Sequence, residues 1–531
     1  MKSALASVVV HESLLADLST SEGNDVEFLL DGNEFFDKFY QELNRVKNSR
    51  SERKYVHLAF WNANHRMAIH GFGKSAPIPL EEELRAAANN GAEVKVIIWN
   101  GTPMGSVASG AGGSPTDANK DFYKTLDGGA GGKIKVRLES YGGEVWMSQH
   151  QKIAIFSEDD KTHVIVSGEN LSDFYQDEPG HPAKSIYKKS GYFGTIHDTA
   201  LWFRGPATCA VETEWIRRWK KVETGFLVGK PSPTRSFPAD VAINIATTDD
   251  ENNKTDIQTA LISAVRQAED YIYLENFGIV YDSLIRAIAA RLRKHPNLKV
   301  IFNIPAPGFS DANRSGEIDG SSRFEGPYGY LHYLSYIELA LITCTSVSFE
   351  RDGKSFTRYR GDYPIWRINW SNDGLLKNSE LEYGSPPPSQ TVKVPLINIS
   401  DIDGGIQFYT PVRATSKLNW HPVYIHSKLG LIDDIMAIVG SANFNYRSML
   451  YDGELSTFVL DTKATKDIKR SLFKEFGMTA DHSKWHTTAK ENERKFFLGQ
   501  ANKGTIYILP VKWEWYEHRN RVFEVMEKAF F

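Results

Sequence analysis

Residues 426–433 read His426-Ser427-Lys428-Leu429-Gly430-Leu431-Ile432-Asp433, and Ile435-Met436-Ala437-Ile438-Val439 follows. The apolar run predicts a buried strand, and in a strand positions i and i+2 face the same side. His426 and Lys428 are therefore expected on one face, where both can touch one bound anion. Asp433 falls at the strand's end or in the turn after it. Val439-Gly440-Ser441-Ala442-Asn443-Phe444-Asn445 reads as a strand running into a turn of small residues. Such residues let a backbone, hydroxyl or amide group come close to a phosphate.

The pattern occurs again upstream. His150-Gln151-Lys152-Ile153-Ala154-Ile155-Phe156 repeats the His-x-Lys and its apolar strand. Val164-Ile165-Val166-Ser167-Gly168-Glu169-Asn170 repeats the strand and small-residue turn at nearly the same spacing. Two such units resemble the phospholipase D superfamily, with its paired H-x-K-x4-D motifs, and the resemblance spans most of the chain because each half carries one. The second motif is complete. The first departs from it: Ser157 stands at the Asp position, with Glu158 and Asp159 just after. In the second motif Asp433 is expected to be structural.

Each motif is followed by an acid that opens a strand. Asp198 precedes Thr199-Ala200-Leu201-Trp202-Phe203, and Glu454 precedes Leu455-Ser456-Thr457-Phe458-Val459. The family resemblance implies that the acid of one half supports the histidine of the other, so Glu454 would orient His150 and Asp198 would orient His426. It also implies that His150 is the nucleophile and His426 the acid/base. The chemistry suits a phosphodiester. Lys152 and Lys428 would neutralise the non-bridging oxygens, and Asn170, Asn443 and Ser441 would add hydrogen bonds as charge builds. A neutral imidazole can attack phosphorus, giving a covalent phospho-histidine, while a protonated one supplies a proton to the leaving alcohol. A carboxylate on the remote ring nitrogen fixes each tautomer. The lysines beside His150 and His426 would repel a cation, so no metal ligand and no cofactor are expected. His57, His65, His197 and His421 have no comparable setting and are read as structural.

Composition narrows the substrate. The chain has 531 residues, 41% of them hydrophobic and 24% charged, with a net charge of −4. That balance lacks the basic stripe of duplex binders, so no stable nucleic-acid partner is expected. No run reaches the roughly 18 apolar residues of a membrane span, which disfavours a membrane-embedded lipid synthase. The first residues hold one Lys and a short apolar run without a clear signal peptide. The expectation is a soluble chain, cytoplasmic or exported by a route that needs no classical signal. Two cysteines, Cys209 and Cys344, exclude a cysteine-rich zinc site and a disulfide framework. Together these features favour a phospholipase D-type phosphodiesterase or phosphatidyltransferase acting on a phospholipid headgroup bond, with transfer to water or an alcohol. Transient contact with a membrane surface and a monomeric state are expected. A nuclease or other non-lipid phosphodiesterase, and an inactive binding protein, are the alternatives.

Strands and helices alternate in the same order through both halves, predicting two similar α/β sandwich halves with mixed sheets. A pseudo-two-fold relation is expected, with the active site between the halves. Residues 1–230 form the first half and 240–531 the second, joined by a linker near Leu227-Val228-Gly229-Lys230-Pro231-Ser232-Pro233. Residues 1–54 read as a helical leader, with helix-type spacing from Glu27 to Val46. The glycine-rich loops at 105–115 and 128–132 read as flexible, forming a lid. Gly132-Lys133 resembles the end of a P-loop, but Asp127 stands where the opening glycine belongs and Ile134 replaces Ser/Thr. An aromatic insertion at about 308–390 has no counterpart in the first half and could shape a substrate entrance. Asp401-Ile402-Asp403-Gly404 lacks the later glycine and glutamate of a calcium loop.

Overall fold

The computed structural model describes residues 20–510, apart from 71–76, 102–114, 143–146, 179, 183–194, 224–235, 277–278, 280, 306–345, 352–353 and 360–404. The linker, the 105–114 loop, the Asp401–Gly404 turn and most of the aromatic insertion lie outside these residues. Within the insertion, Ser346–Arg351 and Lys354–Tyr359 pair as an antiparallel hairpin.

The fold is α/β, built on a large mixed sheet. Its first run of strands is β1 (Thr20–Leu30), β2 (Lys54–Phe60), β3 (Glu93–Trp99), β4 (Ile134–Glu139), β5 (Ile153–Glu158), β6 (Lys161–Ser167) and β7 (Thr199–Arg204). The pairings give the spatial order β4-β3-β2-β5-β6-β7-β1, parallel for the first two contacts and antiparallel for the rest. The second run is β8 (Val241–Asp249), β9 (Tyr271–Glu275), β10 (Lys299–Asn303), β11 (Ile406–Ala414), β12 (Leu429–Ile432), β13 (Met436–Gly440) and β14 (Glu454–Leu460). It has the order β11-β10-β9-β12-β13-β14-β8, with the same sequence of parallel and antiparallel contacts. A further strand, β15 (Ile506–Pro510), adds to β11.

β1 joins the two runs. Its residues 25–30 pair with β7, while Thr20, Ser21 and Asn24 pair with β8. This corrects the expected helical leader: residues 20–30 are a strand, and helix α1 (Asp31–Asn48) begins only at Asp31. Val26-Glu27-Phe28-Leu29-Leu30 fits either periodicity locally. Two distant strands offering backbone partners decide the matter in favour of the strand. The Gly128–Gly132 segment is a tight turn in place of a lid, with Gly128 N donating to Ile134 O (3.0 Å) and Gly132 N to Gly128 O (3.2 Å).

Helices cover the sheet in layers. α1, α2 (Leu80–Asn89) and α3 (Pro115–Leu126) pack on one face of the first run, and α4 (Thr208–Val222) lies on the other. α5 (Asp256–Gln267) and α6 (Asp282–Lys294) pack on the second run, opposite α7 (Thr462–Glu475). α8 (Trp485–Phe497) precedes β15. Strand alternation sorts the core. Ile153 and Ile155 of β5 join Leu429 and Leu431 of β12 in one cluster shared by both runs, while Ala154 and Phe156 face the α1 layer. With both faces buried, these strands need continuous apolar runs, and each buried Leu or Ile contributes about 1.5–3 kcal/mol. The shared layer brings the ends of β5 and β12 together.

Candidate active site

The His-x-Lys residues precede their strands. β5 starts at Ile153 and β12 at Leu429, so His150–Lys152 and His426–Lys428 lie in extended links before them. Each link is held by the opposite run. His150 N donates to Gly453 O (2.8 Å), and Gln149 bridges Gly453. His426 N donates to His197 O (2.8 Å), and Tyr424-Ile425 pairs with Ile196-His197 in parallel. Each histidine is thus docked by backbone bonds beside the acid that follows the other motif.

The side chains complete two crossed pairs. His150 Nδ1 lies 2.9 Å from Glu454 Oε1, and His426 Nδ1 lies 2.6 Å from Asp198 Oδ2. The imidazoles are 14% and 13% exposed, whereas Glu454 and Asp198 are buried beneath them. Lys152 Nζ donates to the His150 carbonyl (2.7 Å), and Lys428 Nζ donates to the His426 carbonyl. Each ammonium therefore sits beside its own imidazole.

The electrostatics are those of a site built for an anion. Burial, then Lys152 and Lys428, hold the His150 imidazole well below its ordinary value. Burial and Lys428 lower His426 to about 4, against the pull of Asp198. Burial also holds Lys152 well below the lysine range and brings Lys428 down to about 8, each opposed by the two acids. Burial lifts Glu454 to about 7, against Lys152 and the Ser441 and Ser448 hydroxyls. Burial pushes Asp198 up too, but His426, Lys428 and the Thr199 N–H outweigh it, so its pKa falls. Four basic groups in one desolvated place disfavour one another's protons, and a bound anion reverses that penalty.

Other sequence candidates take distinct positions. Asn443 is buried and its Oδ1 has no hydrogen-bond partner among the described residues. Asn170 Oδ1 accepts from Asn62 N (3.0 Å), and its Nδ2 donates to the Tyr175 hydroxyl (3.0 Å). Ser441 was expected beside the phosphate. Its hydroxyl instead donates to Glu454 Oε2 and accepts from Leu455 N (3.1 Å), under complete burial. In the first run Gly168 takes the corresponding place, and a Cβ there would lie 2.0 Å from Asp198 Oδ1. Asp433 is at the far end of β12, where its carboxylate accepts from the backbone N–H groups of Glu269, Asp270 and Tyr271 at 2.6, 2.9 and 2.8 Å. None of these three bonds involves the histidines.

Several supporting residues carry no sequence signal. Ser448 donates to Glu454 Oε1 (2.7 Å). The Tyr175 ring stands edge-on to His426 and Trp61 edge-on to His150. Gln151, between His150 and Lys152, turns inward to Glu214 (2.9 Å) and accepts from Arg218 (3.0 Å), which pairs with Glu139 (2.6 Å). Each depends on a contact between distant segments. Only the inward alternation of Gln151 between two site residues could have marked it.

Comparison with known proteins places these features in context. A family profile described as "Cardiolipin synthase, PLD-like domain" matches residues 397–475. Cardiolipin synthase 1 of Staphylococcus aureus is 23% identical over 459 residues, which cover 85% of this chain and 66% of that protein's length. The match thus spans just under two thirds of that relative. Cardiolipin synthase of Listeria welshimeri is 24% identical over 405 residues, covering 72% of this chain and 76% of that protein. The crystal structure of phosphatidylserine synthase from Haemophilus influenzae Rd KW20 superposes with a TM-score of 0.49 at 11% identity, covering 88% of this chain and 90% of that one.

Proposed function

The chain belongs to the phospholipase D superfamily, and from that premise we propose that it is a phosphatidyl-transferring enzyme acting on the headgroup phosphodiester of a phospholipid. The observation that carries the reading is the pair of crossed His–carboxylate contacts, His150–Glu454 and His426–Asp198, with a buried lysine beside each histidine. The names of the relatives, cardiolipin synthases, support a phospholipid substrate. Hydrolysis is the same reaction with water as acceptor.

In this reading the Nδ1–H of each imidazole is committed to its carboxylate, which leaves the reacting role to Nε2. His150 attacks phosphorus and the phosphatidyl group becomes bound to it. The bound phosphodiester anion, together with Asp198, would raise His426 from its value of about 4 so that it carries a proton on Nε2, and His426 delivers that proton to the departing alcohol. It then takes a proton from the acceptor, whose oxygen attacks the phospho-histidine and restores His150. Two features favour this division. Glu454, lifted to about 7 by burial, charges its histidine weakly, so His150 is kept as a neutral nucleophile. Asp198, held ionised, better supports an imidazolium at His426. Lys152, Lys428 and Asn443 would stabilise the phosphoryl oxygens as charge builds. Ser441 and Ser448 would hold Glu454. The repeated strand order supports a pseudo-two-fold arrangement of residues 1–230 and 240–531 with this site between them.

The reading is tested by incubating the protein with phosphatidylcholine in water and in dilute ethanol, followed by lipid mass spectrometry. Phosphatidylethanol is expected in ethanol. Phosphatidic acid alone would assign hydrolysis, and no lipid product at all would overturn the phospholipid assignment.

A further inference from the structure

A second cluster of ionisable groups lies next to Asp198 and takes no part in the chemistry above. We propose that Asp31, His181, His197 and Glu475 form a closed four-ligand site for a divalent transition-metal ion of the zinc type, which ties α7 to the segment that carries Asp198.

The donor atoms converge. One ligand atom from each of the four residues lies within 4.8 Å of all the others. His181 Nε2 is 2.7 Å from Glu475 Oε1 and 3.6 Å from Asp31 Oδ2. His197 Nδ1 is 3.0 Å from Asp31 Oδ1 and 3.4 Å from Glu475 Oε2. A tetrahedral ion with bonds of about 2.0–2.1 Å sets its ligand atoms about 3.3–3.4 Å apart, so small side-chain shifts would seat one.

The remaining ring nitrogens are placed as metal-bound histidines require. A ligating imidazole usually gives its other N–H to a carboxylate, which fixes the tautomer. His181 Nδ1 lies 2.9 Å from Asp177 Oδ2, and His197 Nε2 lies 3.0 Å from Glu275 Oε1. His181 thus makes that outer hydrogen bond, whereas His197 Nε2 lies close to its outer acid without an aligned one.

Two further observations point to a ligand at that centre. His197 is fully buried, yet neither of its ring nitrogens has an aligned hydrogen bond, and Glu475 Oε2 has none either. Unsatisfied buried polar atoms are costly, and a bound ion would satisfy His197 Nδ1 and Glu475 Oε2 together. Charge agrees as well. A divalent ion with two neutral imidazoles and two carboxylates forms a neutral inner set, with the outer acids Asp177 and Glu275 beyond it. Among the described residues, no lysine or arginine ion-pairs with any of the four. The mixed imidazole and carboxylate set favours zinc-type ions over magnesium or calcium. With four protein ligands and deep burial, no open position remains, so the site is structural.

Its place in the fold gives it a consequence. Asp31 N donates to Asp198 O (3.0 Å), Asp198 N donates to Asp31 Oδ1 (3.3 Å), and His197 precedes Asp198 directly. Glu475 is the last residue of α7, in the other run. The ion would fix the backbone that aims Asp198 at His426, making these four positioning residues.

The full chain, purified without chelator, is analysed for bound metal. It is then stripped with chelator and titrated with zinc by calorimetry, and with cobalt(II) while the visible spectrum is followed. The expected result is about one ion per chain with a tetrahedral cobalt spectrum, and a rise in thermal midpoint when zinc is restored. His181→Ala and Glu475→Gln should abolish both. Asp177→Asn, which changes none of the four ligands but alters the partner of His181 Nδ1 and an acceptor of the Ile196 and Glu178 N–H groups, should weaken zinc by about 10–100-fold. If His181→Ala does not fold, the shape-preserving Glu475→Gln and Asp177→Asn carry the comparison. A wild-type chain that takes up neither ion would overturn the proposal, leaving two imidazoles neutralised by their carboxylates. So would variants that bind zinc as the wild type does. Neither readout depends on turnover.

Discussion

His150 and Glu454 are 304 residues apart in the chain, yet His150 Nδ1 lies 2.9 Å from Glu454 Oε1. The contact is mirrored by His426 and Asp198 across 228 residues. Each histidine thus depends on the opposite part of the chain for its tautomer, and the two supports differ in charge. The roles proposed for the two histidines rest on that difference.

His150→Ala should form no phospho-enzyme on any substrate. His426→Ala keeps the attacking group and loses the proton donor, which costs about 10²–10⁴-fold on a natural headgroup. On a nitrophenyl phosphodiester, whose leaving group needs no proton, it should still form the adduct and then stall. Intact-protein mass spectrometry during turnover checks this. An adduct on His426 in the His150→Ala chain would exchange the two roles.

Glu454→Gln should be inactive but more stable than the wild type at pH 8. Burial lifts Glu454 from 4.5 to about 7. A carboxyl whose folded pKa is raised stabilises the fold below its unfolded value, and that contribution is lost as pH rises through about 7. Above pH 7 the wild type bears a buried charge costing on the order of 3 kcal/mol at most, and the neutral amide does not. The gain in thermal midpoint should fade below pH 4.5, where both side chains are neutral. A variant less stable than the wild type at pH 8 would mean that the Lys152 contact outweighs desolvation.

Lys428 gives the site an alkaline limit. Burial lowers it to about 8, against Asp198 and Glu454. It is charged below that value and neutral above it, so affinity for inorganic phosphate should fall about tenfold per pH unit above 8. Arginine stays protonated throughout. In Lys428→Arg the calorimetric affinity, whatever its starting level, should decline less steeply between pH 8 and 10 than in the wild type. A parallel decline in both proteins would assign the limit to another group.

Asp433→Ala should weaken the fold without slowing the chemistry. Its carboxylate accepts from three successive backbone N–H groups at 269–271, and losing that acceptor should cost about 1–3 kcal/mol. The measurement is a denaturant midpoint beside kcat at a temperature well below unfolding. A large fall in kcat with unchanged stability would place Asp433 in the reaction.

The aromatic-rich insertion and the linker gave composition but no geometry from sequence. The His-x-Lys links, the Gly/Ser-Asn turns and the acids opening β7 and β14 could be read in line, because each is a local pattern of a few residues. The strand identity of residues 20–30 could not. Val26-Glu27-Phe28-Leu29-Leu30 suits a helix or a strand, and the partners that decide it, β7 and β8, come more than a hundred residues later. Ser441 was legible as a turn residue near a phosphate site. That its hydroxyl turns to Glu454 depends on the pairing of β13 with β14. His197 shows the same limit, since none of the three acids around its ring, Asp31, Glu275 and Glu475, is near it in sequence.

The sequence alone determined which side chains are candidates for the proposed phosphodiester chemistry, and that they come in two sets, because periodicity and short motifs are written in neighbouring residues. The pairing of Glu454 with His150 and of Asp198 with His426 was implied by the family resemblance and is met in the fold, whereas only the tertiary structure decided that the lysines and imidazoles share one desolvated place and that Asp31, His181, His197 and Glu475 converge. Those relations arise when β1 joins two runs of strands and the inner faces bury against each other, and contacts made by such packing have no trace in local order.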